Sequence, residues 1–290
     1  MEKHLQWRTL FVFILVAMTF SVLFDSAARC QSAGKLLPSS GVTLSYSAPT
    51  RQLTLHEPVI ITFRVVNQTS LPINLDLGQD RKWGFLFAIT KPDGVKLDFP
   101  AIIHEGIAIP GEVSVKSGDT LTQDLLINEW YDFPLPGKYV LQGRLAKPIA
   151  INNGSRYETD PGFRAELEIG PSDELTLAKT CEALTNQIEA SNSFEQAADA
   201  ARTLSYIEDP IAVPYLRRAL FSGRLVQPIA INALEKIANE AAVRVLIESL
   251  KVESVGDDRL LARYALVRIQ KKTTDENLQR EIDRALAGDP

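Results

Sequence analysis

The side chains best suited to proton transfer near neutral pH are few: the sequence holds three histidines, His4, His56 and His104. His4 falls in the N-terminal segment, ahead of an apolar run that begins at Leu10. His56 stands beside Glu57-Pro58 in a turn, and His104 beside Glu105-Gly106 in what reads as a solvated loop. Neither His-x-x-x-His nor paired Cys-x-x-Cys spacing occurs, so no metal set is expected. A Gly-x-Ser-x-Gly elbow, a phosphate-cradling Gly-Lys-Ser/Thr loop and a dinucleotide fingerprint are likewise missing from the sequence. Cys181 is a nucleophile by type, but it repeats at helical spacing with Leu177 and Leu184, which predicts burial. Trp83, Trp130 and Tyr131 could make an aromatic platform for a sugar, although such rings in a β domain more often fill cores and corners. Asn67-Gln68-Thr69 and Asn153-Gly154-Ser155 fit the glycan-acceptor pattern and leave modification open. The expectation is a chain without catalytic, cofactor or metal residues, built to bind.

The N-terminus sets the expected compartment. Lys3 and Arg8 precede a largely apolar run from Leu10 to Phe24, and Asp25 is followed by Ser26, Ala27 and Ala28. That order of charged, apolar and small residues is a secretory signal over residues 1–28, with a retained anchor as the other reading. Cys30 raises lipidation, but Arg29 stands where bacterial lipoproteins carry a small residue. The expected location is extracytoplasmic: periplasm, cell envelope or secreted. The formal net charge of −5 and a pI near 5.4 argue against nucleic acid, whose readers carry a basic face.

From about Val42 to Ile169 the apolar residues recur with period two. Val59, Ile61, Phe63 and Val65 make one apolar face, and Phe163, Ala165, Leu167 and Ile169 alternate with Arg164, Glu166 and Glu168. Pro92-Asp93-Gly94, Pro110-Gly111, Ser117-Gly118-Asp119 and Pro136-Gly137 punctuate the strands. Short strands between such turns predict an antiparallel β-sandwich over 36–170. Gly137, Tyr139 and Leu141 resemble the tyrosine corner of immunoglobulin-like domains, with Leu135 and Leu141 departing from the antibody version.

Gly170-Pro171 breaks the last strand, and Ser172 is expected to cap a helix whose first turn holds Asp173 and Glu174. The period then becomes 3.6 over 172–290. Leu204, Ile207, Ala212, Val213, Leu216 and Leu220 recur as Leu234, Ile237, Ala242, Val243, Leu246 and Leu250, and a third copy places Ala262, Leu266, Ile269, Leu278 and Ile282. The stretch from Leu204 to Leu216, with Asp209-Pro210 at the turn and Ala212-Val213-Pro214 opening the second helix, resembles the HEAT-like repeats of bilin-lyase-type bacterial proteins. The predicted fold is therefore multidomain, an immunoglobulin-like β-sandwich followed by a short HEAT-like α-solenoid.

Between the buried positions of the second helices stand Tyr215, Arg218, Arg244 and Glu248, which are the candidate partner-binding residues. The bland counterpart is a solvated face with an Arg244/Glu248 pair at i, i+4. The functional expectation is a non-catalytic interaction or scaffolding protein whose partner is a protein or cell-envelope component. Membrane contact would come only through an uncleaved anchor. The alternatives are a peptidase inhibitor presenting the Pro100 to Pro110 loop and a lyase-like enzyme, as the repeat resemblance implies.

Overall fold

The computed structural model describes residues 35–36, 41–78, 81–100, 111–151, 156–251 and 258–288. Residues 1–28, expected to be a secretory signal, lie outside them, as do Cys30, His104, Glu105, Asn153 and, apart from Pro100, the Pro100 to Pro110 loop. The chain divides by secondary structure into a β-rich region and a helical region.

Among the described residues the strands form three sheets. The first is ordered β1 (Lys35–Leu36), β2 (Val42–Ser47), β4 (Ile60–Asn67), β9 (Thr120–Leu126). The second runs β3 (Leu53–Thr54), β13 (Phe163–Gly170), β10 (Gly137–Leu145), β6 (Phe85–Thr90), β7 (Lys96–Phe99). The third runs β12 (Arg156–Glu158), β11 (Ile149–Ile151), β5 (Ile73–Asp76), β8 (Glu112–Val115). Every pairing is antiparallel except β3 with β13. Alternation in β4 buries Ile61, Phe63 and Val65, each at 0% exposure, while Arg64 points to water. Residues from all three sheets, Phe63, Leu141 and Ile149 among them, share one core. Each such side chain contributes roughly 1.5–3 kcal/mol by leaving water.

Buried polar groups tie these sheets together. Asn67 Nδ2 donates to the carbonyls of Leu71 (2.9 Å) and Val115 (2.8 Å), and Oδ1 accepts from Thr69 N (2.9 Å), so β4 is knitted to β8. The amide of this glycan-acceptor pattern is thus buried and engaged. Asn128 Oδ1 accepts from Val59 N at 2.7 Å. Asp160, also buried, accepts from the Tyr46 hydroxyl, from Leu145 N (2.7 Å) and from Gly162 N (2.8 Å). The Tyr139 hydroxyl donates to the Leu135 carbonyl at 2.7 Å.

Strand β13 ends at Gly170, and helix α2 (Glu174–Ala190) follows; a short α1 (Arg81–Gly84) precedes β6. The cap of α2 is Asp173, not Ser172: Asp173 has the extended backbone of a capping residue, and its carboxylate accepts from Leu175 N at 3.1 Å. The linker is gripped from the β side. Thr54 Oγ1 donates to the Pro171 carbonyl (2.7 Å) and accepts from Asp173 N (2.7 Å). Glu57, its side chain only 2% exposed, pairs with Arg51, accepts from Thr54 N (3.1 Å) and receives Thr180 Oγ1 of α2 at 3.4 Å. Farther out, Arg81 meets Asp199 at 3.0 Å.

The remaining helices are α3 (Phe194–Leu204), α4 (Val213–Leu220), α5 (Gln227–Ile237), α6 (Glu240–Ser249), α7 (Asp258–Lys272) and α8 (Glu276–Ala287). They stack in two rows, α3-α5-α7 and α2-α4-α6-α8. Leu204, Leu234, Leu246 and Leu266 lie at 0% exposure, and alanines such as Ala200, Ala230 and Ala262 let neighbouring helices approach closely. The turn before α4 is a 3-10 turn, Pro210–Ala212, capped by Asp209, whose carboxylate accepts from Ile211 N at 2.9 Å. Pro214 explains the tight winding: it has no N-H to offer the Pro210 carbonyl, which Val213 N takes instead. Asn239 caps α6 without proline, accepting from Ala242 N at 2.8 Å, and that helix is α-helical from Glu240.

Candidate functional site

The row α2-α4-α6-α8 carries the residues singled out above. Repeat spacing buries Val213, Leu216 and Leu220 on α4, and Val243, Leu246 and Leu250 at the end of the next repeat. Their neighbours are consequently directed away from the core, which is why Arg217 and Arg244 are exposed. Tyr215 and Arg218 are only partly so, because Tyr215 lies against the helical core and Arg218 leans on α2.

These charges do not stand free. Arg218 donates to Glu182 (2.8 Å), Glu189 (2.8 Å) and Asn186 (2.9 Å), all on α2. Arg217 makes a two-pronged contact with Glu248 of α6, at 2.6 and 2.8 Å. Arg244 pairs with Glu240 of its own helix and lies 3.7 Å from Glu281 of α8. The i, i+4 pairing of Arg244 with Glu248 does not form, since Glu248 is turned one helix back, to Arg217. The contacts with Glu189 and then Glu182 hold the Arg218 guanidinium above its ordinary pKa, and Arg217 holds Glu248 below the usual carboxylate range.

The result is a strip of ion pairs running from α2 to α8, with Tyr215 beside it. The other row is stitched in the same manner, by Lys236 to Glu208 (3.1 Å) and Arg268 to Glu235 (2.6 Å). Sequence reasoning missed Arg217, and a signal for it existed. In four of these contacts the partners stand 28 to 33 residues apart, about one repeat length: Arg217 with Glu248 at 31, Arg218 with Glu189 at 29, Lys236 with Glu208 at 28 and Arg268 with Glu235 at 33. Opposite charges offset by one repeat point at each other across the stack.

The residues weighed for chemistry are placed as follows. Cys181 is fully buried on α2, and desolvation pushes its thiol up to about 12, far from a nucleophilic thiolate. His56 sits in a left-handed turn with φ of 68°, next to the buried Glu57. Trp130 packs edge-on to Phe87 (4.7 Å), and Tyr131 lies against Phe133 (5.2 Å), so these two rings serve the core and do not form a flat platform; Trp83 is on α1. Among the described residues no group of three or more His, Cys, Asp or Glu comes together to hold a metal ion. Among the same residues, no helix is long and apolar enough to cross a membrane.

Several solved structures resemble the chain weakly. Northeast Structural Genomics Consortium target SoR45 is 12% identical, with 44% of this chain and 88% of that chain covered at a TM-score of 0.25. A mutant beta-glucosidase from Listeria innocua in complex with laminaribiose is 14% identical over 46% of this chain and 16% of its own, at 0.26. Astrotactin-2, a conserved vertebrate-specific and perforin-like membrane protein, is 11% identical over 76% and 38%, at 0.19. This chain spans about a sixth of the beta-glucosidase, and likenesses at such TM-scores assign neither fold nor function. No curated protein matches the chain. Residues 181–267 match the family of HEAT repeats, and with the helix rows just described this makes the C-terminal part a HEAT-repeat region.

Proposed function

We propose that the chain is an exported, non-catalytic recognition protein, in which an immunoglobulin-like β-sandwich carries a short HEAT-like solenoid that docks a protein or cell-envelope partner. The observation that carries this reading is the strip on the α2-α4-α6-α8 row, where Tyr215, Arg218, Arg244 and Glu248 lie on one side of a HEAT-repeat stack. Tyr and Arg gain much contact for little entropy, and a guanidinium already held by Glu182 and Glu189 has less freedom left to lose on docking. The signal-like composition of residues 1–28 supports export. The Tyr139 hydroxyl on the Leu135 carbonyl is the bond that gives tyrosine corners their name, and it supports the immunoglobulin-like reading of the strands.

The test is capture from the native envelope with the intact chain and with Tyr215→Ala/Arg218→Ala. Captured partner should fall by about tenfold or more in the double variant, as expected when two hot-spot side chains are truncated, while the helical circular dichroism stays at the parent level. Capture that is equal for both proteins would place docking on another surface.

A further inference from the structure

The outer strands of the three sheets are unequal. Among the described residues β1 and β3 hold two residues, β12 three, and β7 and β8 four. β7 is further blunted by Lys96, Asp98 and the Pro100 that follows it, and β12 by Arg156 and Glu158. Short length, charge and proline are the ordinary means by which an edge is kept from pairing with another chain. β9 uses none of these fully: it runs for seven residues without proline or a basic side chain, and only β4 pairs with it. Its one charge, Asp124, accepts the Thr62 hydroxyl of β4 at 2.7 Å.

The ladder fixes which backbone groups face outward. Ile127 N donates to the Val59 carbonyl (2.8 Å) and Asn67 N to the Asp119 carbonyl (3.0 Å), so the odd-numbered residues of this segment exchange bonds with β4. The N-H and C=O groups of Thr120, Thr122 and Asp124 then point to the open edge. Among the described residues those N-H groups have no acceptor, and the Asp124 carbonyl is met by the Gln123 side-chain amide of the same strand, at 3.1 Å. All three side chains are exposed.

The exposed face of this strand is complementary to itself. Turned antiparallel about Gln123, β9 of a second copy would set its Asp124 opposite Thr122 and its Thr122 opposite Asp124. Each Asp124 thereby meets a threonine hydroxyl, the same pair that it makes with Thr62 across the β4–β9 ladder, and no like charges are opposed. Arg64, exposed and without an ion pair among the described residues, stands opposite Thr122 on β4. The pairing therefore draws the second copy's Asp124 toward an unmatched guanidinium. Such a contact uses one patch twice, as a two-fold dimer requires.

We propose that the chain dimerises through β9, which pairs antiparallel with β9 of a second copy about Gln123 and joins the two β1-β2-β4-β9 sheets into one. The interface belongs to the β-rich region and stands whether or not the helical strip docks a partner.

Sedimentation velocity of the intact chain tests the proposal. A monomer–dimer equilibrium is expected between about 1 and 500 μM, as a small edge contact warrants. Thr122→Lys places a cation opposite Asp124 of the second copy, and Thr122→Asp places an acid there. With two such pairs in each dimer, the lysine should tighten association by about fivefold and the aspartate weaken it by about as much. Thr122→Pro should abolish the dimer and leave the circular dichroism at the parent level, because the N-H that it removes makes no bond within the protomer. A chain that stays monomeric at about 500 μM overturns the proposal. So does a shift of the same sign for lysine and aspartate, or an undiminished dimer in a folded Thr122→Pro protein. Should the proline variant fail to fold, the opposite signs of the lysine and aspartate variants still decide.

Discussion

The two regions solve the same problem, fixing one arrangement of apolar elements, with opposite uses of polarity. The β-rich region buries polar side chains that bridge distant strands: Asn67 joins β4 to β8, and Asp160 joins β2 to β10 across 114 and 15 residues. The helical region buries almost pure hydrocarbon and places its charges outside, in ion pairs one repeat apart. The difference follows from topology. Strands paired from far along the chain need markers that penalise the wrong register, because a one-residue slip turns a core face outward. A repeat stack specifies itself through neighbours, so its surface pairs are free to be weak.

The sharpest way to break this contrast is at Asp160. Asp160→Ala would leave the Tyr46 hydroxyl and two backbone N-H groups without their acceptor, and a loss of about 3–5 kcal/mol is expected from urea unfolding followed by near-ultraviolet circular dichroism. A loss under about 1 kcal/mol would mean water reaches these donors and the anchor is dispensable.

The next test asks how dry the helical interior is. With the Cys181 thiol pushed up to about 12, its thiolate fraction at pH 8 is roughly three orders of magnitude below that of an ordinary cysteine. In a Cys30→Ser background, iodoacetamide should label Cys181 only after unfolding. The linkage has a definite sign: the folded state holds its proton longer, so this group's contribution is complete below pH about 8.5 and declines as pH rises toward 12. Rapid native labelling would show an interior that opens.

The smallest effect belongs to the strip. Arg218→Ala should cost no more than about 1 kcal/mol, since its partners are solvated, and salt near 1 M should shrink even that. Glu248, held below the usual carboxylate range by Arg217, contributes above the ordinary glutamate pKa and loses that contribution as pH falls through its lowered folded value. Arg218→Ala costing as much as Asp160→Ala would erase the distinction between the regions.

How much of this was legible in the sequence depends on the range of the interaction. The long strands announced themselves: the alternation of Val59 to Val65 marks β4, and Phe163 to Ile169 differs from β13 by one residue, because alternation over six or more residues is a strong signal. Several of the strands of two to four residues, β1, β3, β7, β8, β11 and β12, went unseen, carrying too few residues to show a period. In the helical part, burial of Leu216 and Leu246 was readable from the repeat, whereas the partners of Arg218 were not, for the i, i+4 rule looks only along one helix. The partial exposure of Phe163 and Ala165, on the same face of β13 as the buried Leu167 and Ile169, had no signal at all: alternation says which way a side chain faces and nothing about whether another layer covers it.

The grip of Thr54 and Glu57 on the Pro171–Asp173 linker carries a mechanical consequence. A load applied to the C-terminal helices would travel along α2 toward β13, and at the linker it meets Thr54 Oγ1 and the buried Glu57 carboxylate before reaching the seven paired residues that hold β13 to β10. Because β3 pairs with β13 in the same sheet, Thr54 divides the pull between two neighbouring strands before it reaches the β13–β10 pairing.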